Sequence, residues 1–169
     1  MKDVMSLRDN FMLFLTNLKN TEIYSLFENL LRSGLVLRVK VTGKSMSPFL
    51  ENGSYVTLSK IPVSGLRIGD IIFCQCNDGS FKLHRLLQID NDMLITKGDA
   101  LGSFDVPFKK TDYKGKVVCI EQHSAKGLMH RNLENQSSRI NNYLIARFHL
   151  LRVYLNCIYV RLKSKPARS

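Results

Sequence analysis

Between Leu35 and Thr42 the apolar residues Leu35, Leu37, Val39 and Val41 alternate with Val36, Arg38, Lys40 and Thr42, and the run ends at Gly43. A period of two predicts a half-buried strand. Comparable runs predict further strands at 54–59, 70–76, 81–89, 93–97 and 115–121. Gly, Asn and Asp at 53, 69–70, 77–79 and 91–92 supply the turns between them. Ahead of the strands the period is helical. Ile23, Leu26, Phe27, Leu30 and Leu31 predict a helix from Thr21 to Arg32, with Thr21 as N-cap and Gly34 as the stop. Met5, Phe11, Phe14, Leu15 and Leu18 place another amphipathic helix within 4–19. After the strands, Leu144, Phe148, Leu151, Leu155, Ile158 and Leu162 recur at 4-3-4-3-4 spacing, an amphipathic helix of about 20 residues. The expected fold is α+β: a mainly-β core of Greek-key or barrel-like type, flanked by N-terminal helices and a C-terminal amphipathic helix. The segments divide as an N-terminal helical part (1–34), a β-rich core (35–123), a polar linker (124–142) and a basic amphipathic helix (143–165).

Charge changes this picture at one end. The net charge is +11, and residues 124–169 hold nine Lys/Arg against the single acid Glu134. The remaining residues, 16 basic and 13 acidic, are nearly balanced. A basic tail suits an anionic partner. For its helix, the apolar stripe either packs on the N-terminal helices or lies on an anionic membrane surface. Its arginines and His149 argue against a spanning helix, and the tail has no nucleic-acid-binding motif. The apolar stretch from Phe11 to Leu15 is also too short to span a bilayer, which takes about 20 apolar residues. With no secretory signal peptide expected either, the anticipated location is cytoplasmic, including the inner membrane surface. A length of 169 residues with 44% hydrophobic composition suits one folded domain. Cys74, Cys76, Cys119 and Cys157 match no common zinc spacing and read as reduced thiols. With no Gly-rich phosphate loop and no metal motif, no cofactor or metal is expected.

The candidate chemistry lies at GKSMSP, residues 43–48, and at His84 within FKLHRLL. Ser45 would sit on a turn directly after the first strand, and His84 on a later strand. Serine is a weak nucleophile that needs a base, and a neutral imidazole can take its proton near pH 7. Lys82 and His84 would share one strand face with Leu86, while Phe81, Leu83 and Arg85 occupy the other. A lone serine or a lone histidine carries little information. Their order with neighbouring segments carries more: VTGKSMSPFLENGSYVTLSK, then RIGDIIF, then KLHRLLQI, then ITKGDALGSFD.

In that order and spacing the segments resemble the signal peptidase I family, and its Ser-His branch more than its Ser-Lys branch. The resemblance covers about Val39 to Glu121. It implies a serine endopeptidase that cuts a leader or signal segment from a precursor, with Ser45 as nucleophile and His84 as base. The third member would be an acid that orients the imidazole. Asp105 matches the family position best, and Asp99 is the supporting or alternative acid. Oxyanion stabilisation would use the Ser45 backbone N–H. The side-chain donor that some members carry two residues earlier is replaced here by Gly43. Met46 and Pro48 are expected to line the substrate groove, Pro48 also stiffening the turn exit, and Asp70 to act as a turn acid. Lys44, Lys82 and Lys97 read as solvated amines. The family usually has a membrane-spanning helix before the serine, whereas the 44 residues here are interrupted by charges. Two other readings stay open: a self-cleaving repressor-like regulator, and a non-catalytic peptide- or membrane-binding module on the same fold.

Overall fold

The computed structural model describes residues 20–124 and 127–163. The helix expected within 4–19 lies outside the described residues. Helix α1, Asn20–Arg32, ends where the glycine demands it. Gly34 has φ +84°. The Leu35 N–H donates to the Leu30 carbonyl (3.2 Å) and the Gly34 N–H to the Leu31 carbonyl (3.2 Å), a Schellman closure that satisfies the last helical carbonyls. Thr21 lies inside α1 rather than capping it, because the helix already includes Asn20.

Eight strands follow: β1 Leu37–Lys40, β2 Tyr55–Ser59, β3 Ile71–Gln75, β4 Phe81–Asp90, β5 Met93–Lys97, β6 Phe108–Lys109, β7 Tyr113–Ser124 and β8 Gly127–Asn132. All pairings are antiparallel, in the order β1-β2-β7-β3-β4-β5-β6. The long strand β7 pairs β2 along one edge; its other edge pairs β3 in the first half and β8 in the second. The fold is α+β, a mainly-β sheet curled into a half barrel with a helix on its N-terminal side and another on its C-terminal side among the described residues.

Both faces of the sheet are covered. Ile71 and Ile72 are adjacent on β3, so their side chains leave opposite faces. Ile71 joins Leu31 of α1, Met46, Leu50, Val56, Leu58, Val117, Ile120 and Leu133 in one core cluster. Ile72 joins Leu66, Cys74, Leu86, Leu94, Phe108 and Tyr113 in the other. Double coverage explains why β3 reads as an apolar run and not as an alternation. The Cys74 thiol belongs to the second cluster, and burial pushes its pKa up to about 12. Asp70 is the expected turn acid, its carboxylate accepting the Arg67 N–H at 2.9 Å. It also faces the buried ammonium of Lys116 at 3.2 Å.

Two expectations change. The segment 124–142 is not a linker, since it contains β8 and the first turns of helix α2, Gln136–Lys163. β8 escapes a periodicity reading because it is polar and mostly exposed, held by backbone pairing to β7. The helix starts early because Asn135 caps it: its side-chain oxygen accepts the Ser138 N–H at 2.8 Å. The second change concerns which face of α2 packs. Asn142, Ala146, His149 and Val153 are buried, whereas Leu144, Phe148, Leu151, Leu155 and Ile158 stay exposed. Among the described residues the apolar stripe therefore does not pack on other helices. No described helix is long and apolar enough to cross a membrane.

Gly69 sets how closely α2 approaches the sheet. It has φ +98°, and a Cβ there would sit 2.6 Å from the backbone carbonyl of Asn142 and 2.7 Å from the Tyr143 nitrogen. Backbone cannot yield as a flexible side chain would. Gly69→Ala is expected to destabilise the protein by about 2–5 kcal/mol, combining left-handed strain with overpacking. Urea unfolding would measure this. An unchanged midpoint would mean that α2 is not seated on Gly69.

Candidate active site

Ser45 sits at the start of a short helical turn after β1. The Ser47 N–H donates to the Lys44 carbonyl (3.1 Å) and the Leu50 N–H to the Met46 carbonyl (2.9 Å). Gly43, at φ +104°, turns the chain into it, and its N–H is held by the Asn52 side-chain oxygen at 2.9 Å. The first N–H groups of such a turn have no partner within it. Among the described residues the Ser45 N–H has no hydrogen-bond acceptor, so it is available to an incoming oxygen. Met46 and Leu50, one turn apart, anchor the turn in the first core cluster. Met46 is thus a core residue and not a groove residue: helical geometry carries its side chain inward while Ser45 stays at the surface. Pro48, on the outer side of the turn, is exposed.

His84 is fixed by the middle of the sheet, opposite Ile72 on β3. Its Nε2 lies 2.9 Å from Ser45 Oγ. Its Nδ1 lies 2.6 Å from Asp105 Oδ2. An ionised carboxylate only accepts, so the ring proton belongs on Nδ1, leaving Nε2 as the acceptor for the serine hydroxyl. Asp105 reaches this position through a loop closed by its own N–H, which donates to the Thr96 carbonyl at 2.9 Å. The Thr96 hydroxyl donates to Asp105 Oδ2 at 2.7 Å. Lys82, two residues before His84 on the same face, brings its ammonium to 3.6 Å from Asp105 Oδ1. Burial alone would raise the Asp105 carboxyl. The hydrogen bonds from His84 and Thr96, helped by the charges of His84 and Lys82, outweigh it and hold the group below the usual carboxylate range. The arrangement can therefore pass a proton from a serine hydroxyl to an imidazole whose far side faces a fixed negative charge.

Asp99 is elsewhere. Its carboxylate takes two bonds from the fully buried Arg85 guanidinium, Nε at 2.8 Å and Nη2 at 2.6 Å. Arg85 Nη1 donates to the Gly69 carbonyl (3.1 Å) and to the Asn142 side-chain oxygen (3.2 Å) on α2. His149, also on α2, places Nε2 3.3 Å from Asp99 Oδ1 and Nδ1 3.3 Å from Lys97 Nζ. Lys97 is buried here rather than solvated. This second network adjoins the first through the loop after β5. The Ala100 N–H donates to the Ser45 carbonyl at 2.9 Å. A Cβ on Gly98 would lie 2.7 Å from the Ser45 carbonyl oxygen and 3.0 Å from His84 Nε2. Asp99, between those two residues, ties the loop to Arg85 and α2.

Sequence reasoning missed Thr96, Gly98, Asn142 and the role of His149. Thr96 and Gly98 lie inside the ITKGDALGSFD segment, one strand pairing away from Leu86 and Arg85. Asn142 and His149 have a signal of their own: seven residues apart, they share a face with Ala146 and Val153, opposite the apolar stripe. Comparison of the chain with protein-family models and with curated proteins gives no match.

Two predictions follow from these contacts. Gly98→Ala is expected to leave the protein folded while separating Ser45 from His84, so that a serine-directed acylating probe no longer labels Ser45; labelling at the wild-type rate would show that the loop does not position the pair. The other concerns pH. Burial, then the Lys97, Arg85 and Arg152 cations, push the His149 pKa down against the opposing pull of Asp99. An unfolded histidine, at about 6.5, therefore binds its proton more readily than His149 does in the fold. The contribution to stability is complete above that value and is lost as pH falls from there through the lowered folded pKa. Urea midpoints should decline from about pH 7 to about pH 5 in the wild type and decline less in His149→Gln. Equal slopes would remove His149 from this role.

Proposed function

We propose that the protein is a serine endopeptidase of the signal peptidase type, cleaving a segment from a peptide or protein precursor. The observation that carries this reading is the continuous contact Ser45 Oγ–His84 Nε2–His84 Nδ1–Asp105 Oδ2, at 2.9 Å and 2.6 Å. Paired with the order of the GKSMSP, IGDII, KLHR and TKGDALGSFD segments, it favours an activated nucleophile over a chance surface serine.

In this mechanism His84 Nε2 takes the Ser45 hydroxyl proton as Oγ bonds to the scissile carbonyl carbon. The carbonyl oxygen becomes an oxyanion, for which the Ser45 N–H is a preorganised donor. His84 gives the proton to the leaving amine as the C–N bond breaks, leaving an acyl-enzyme. It then takes a proton from water, the hydroxide attacks the ester carbon, and the proton returns to Ser45 Oγ. Asp105 holds the ring tautomer and stabilises the imidazolium without taking the proton. Thr96 and Lys82 hold Asp105.

The substrate is read as an extended strand. β1 pairs only with β2 among the described residues, so its outer edge is open immediately before the Ser45 turn. A peptide backbone can add to such an edge. With Met46 in the core, this edge and not the Met46 side chain is the candidate groove. The resemblance implies small residues before the scissile bond.

Labelling with a serine-directed acylating probe tests the reading. Labelling is expected at Ser45, absent in Ser45→Ala, lost in His84→Ala and slowed on the order of 10⁴-fold in Asp105→Asn. Folded wild-type protein that is not labelled, or is labelled equally in His84→Ala, would refute it.

A further inference from the structure

Helix α2 is seated with its faces reversed relative to an ordinary amphipathic helix. Its buried positions are Asn142, Ala146, His149 and Val153. Adding two residues to each gives Leu144, Phe148, Leu151 and Leu155, and one further turn gives Ile158. Two residues are about 200° around a helix, so this apolar row points directly away from the sheet. The five side chains, with Ile140 at the head of the row, are each 54–63% exposed. From Ile140 to Ile158 the row is about 27 Å long, an apolar surface beyond the scattered single residues of an ordinary exterior.

We propose that this outer face of α2 docks in the plane of an anionic membrane surface. Three features select that occupant. First, α2 contains Arg139, Arg147, Arg152, Arg161 and Lys163 and no acidic residue. Second, Tyr143, Tyr154 and Tyr159 are exposed and border the row, Tyr143 and Tyr154 on one side and Tyr159 on the other. Tyrosine has the apolar body and polar tip that suit the headgroup level. Arg147, bonded through Nε to the Tyr143 hydroxyl at 2.9 Å, lies on the first border, and Arg152 on the second. Third, the same charges oppose a second copy. Two such helices laid face to face would bring arginines together with no acid on either helix to pair them. Anionic headgroups supply the missing countercharge while acyl chains take the apolar row.

The inner face makes the docking relevant to the site. Asn142 and His149 hold the Arg85–Asp99 pair, and Asp99 lies between Gly98 and Ala100, which touch Ser45 and His84. A helix lying on lipid would therefore carry the Ser45 region at a fixed height above the surface. The docking itself does not depend on the peptidase reading.

The chain has no tryptophan, so a Leu151→Trp substitution in the full-length protein gives a single reporter. Vesicles of equal parts phosphatidylglycerol and phosphatidylcholine are expected to shift its emission to the blue and to sediment the protein. Vesicles of phosphatidylcholine alone should bind at least about tenfold more weakly, and so should an Arg147→Glu/Arg152→Glu variant of unchanged circular dichroism and thermal midpoint. No shift with the anionic vesicles would overturn the proposal, as would binding that survives charge reversal. Emission already blue-shifted without lipid and dependent on protein concentration would overturn it in favour of a second copy. Failure of Ser45 labelling with vesicle binding intact would refute the peptidase reading alone.

Discussion

The bonds of Arg85 to Asp99 hold the sheet, the loop after β5 and helix α2 in one arrangement. A guanidinium with no solvent exposure cannot be left unpaired, and removing one partner of such a pair costs about 3–5 kcal/mol. The apolar residues on the same face of α2 are Ala146 and Val153, whose burial contributes about 2–4 kcal/mol together. The polar clamp, through Asn142 and His149, adds to that hydrophobic contact of the helix. It is also directional. Arg85 Nη1 must reach both the Gly69 carbonyl and Asn142, which fixes the helix against the turn where Gly69 leaves room for its backbone.

The clamp acts on the Ser45–His84 pair through geometry rather than charge. Arg85 and His84 are consecutive on β4, so their side chains leave opposite faces. On one face stand Ser45, Asp105 and Lys82; on the other, the ion pair. The loop from Gly98 to Ala100 joins the two. A backbone N–H at Ala100 holds the Ser45 carbonyl, and the bare Cα of Gly98 lets the loop press against both Ser45 and His84. A rigid strand, a core-anchored turn and a pinned loop converge within hydrogen-bond distance, which is how a proton-transfer geometry is kept without strain.

Much of this was legible in the residues. The strands at 54–59, 70–76, 81–89 and 93–97 correspond to β2, β3, β4 and β5 because their turns carry Gly, Asn and Asp at positions that side-chain chemistry enforces. Ser45, His84 and Asp105 were legible as a set through segment order, and the fold brings them together. β8 was not, since a strand that is exposed and held by backbone pairing leaves no period in the sequence. Met46 misled for a related reason: its family position suggested a groove, but a helical turn separates adjacent side chains by about 100°, and the neighbour of a surface serine points inward. Lys97 read as a solvated amine because burial of a cation depends on partners distant in the chain, here His149 on the helix more than 40 residues later.

Helix α2 shows where the periodicity argument has to be inverted. The rule that an apolar stripe faces the core assumes that water is the only alternative environment and that polar side chains are costly to bury. The second condition does not hold here. Asn142 and His149 lose little by burial, since each finds a partner whose own burial already demands one. Arg85 needs a further acceptor beyond Asp99, and Asp99 and Lys97 meet across a neutral imidazole that can donate at Nε2 and accept at Nδ1. Once the polar face is taken inward, the helix has to present its leucines outward, for one rigid helix cannot turn both faces to the same sheet. The Leu-Phe-Leu-Leu-Ile row thus marks the surface that this helix displays, and the Asn-Ala-His-Val pattern marks the one it hides.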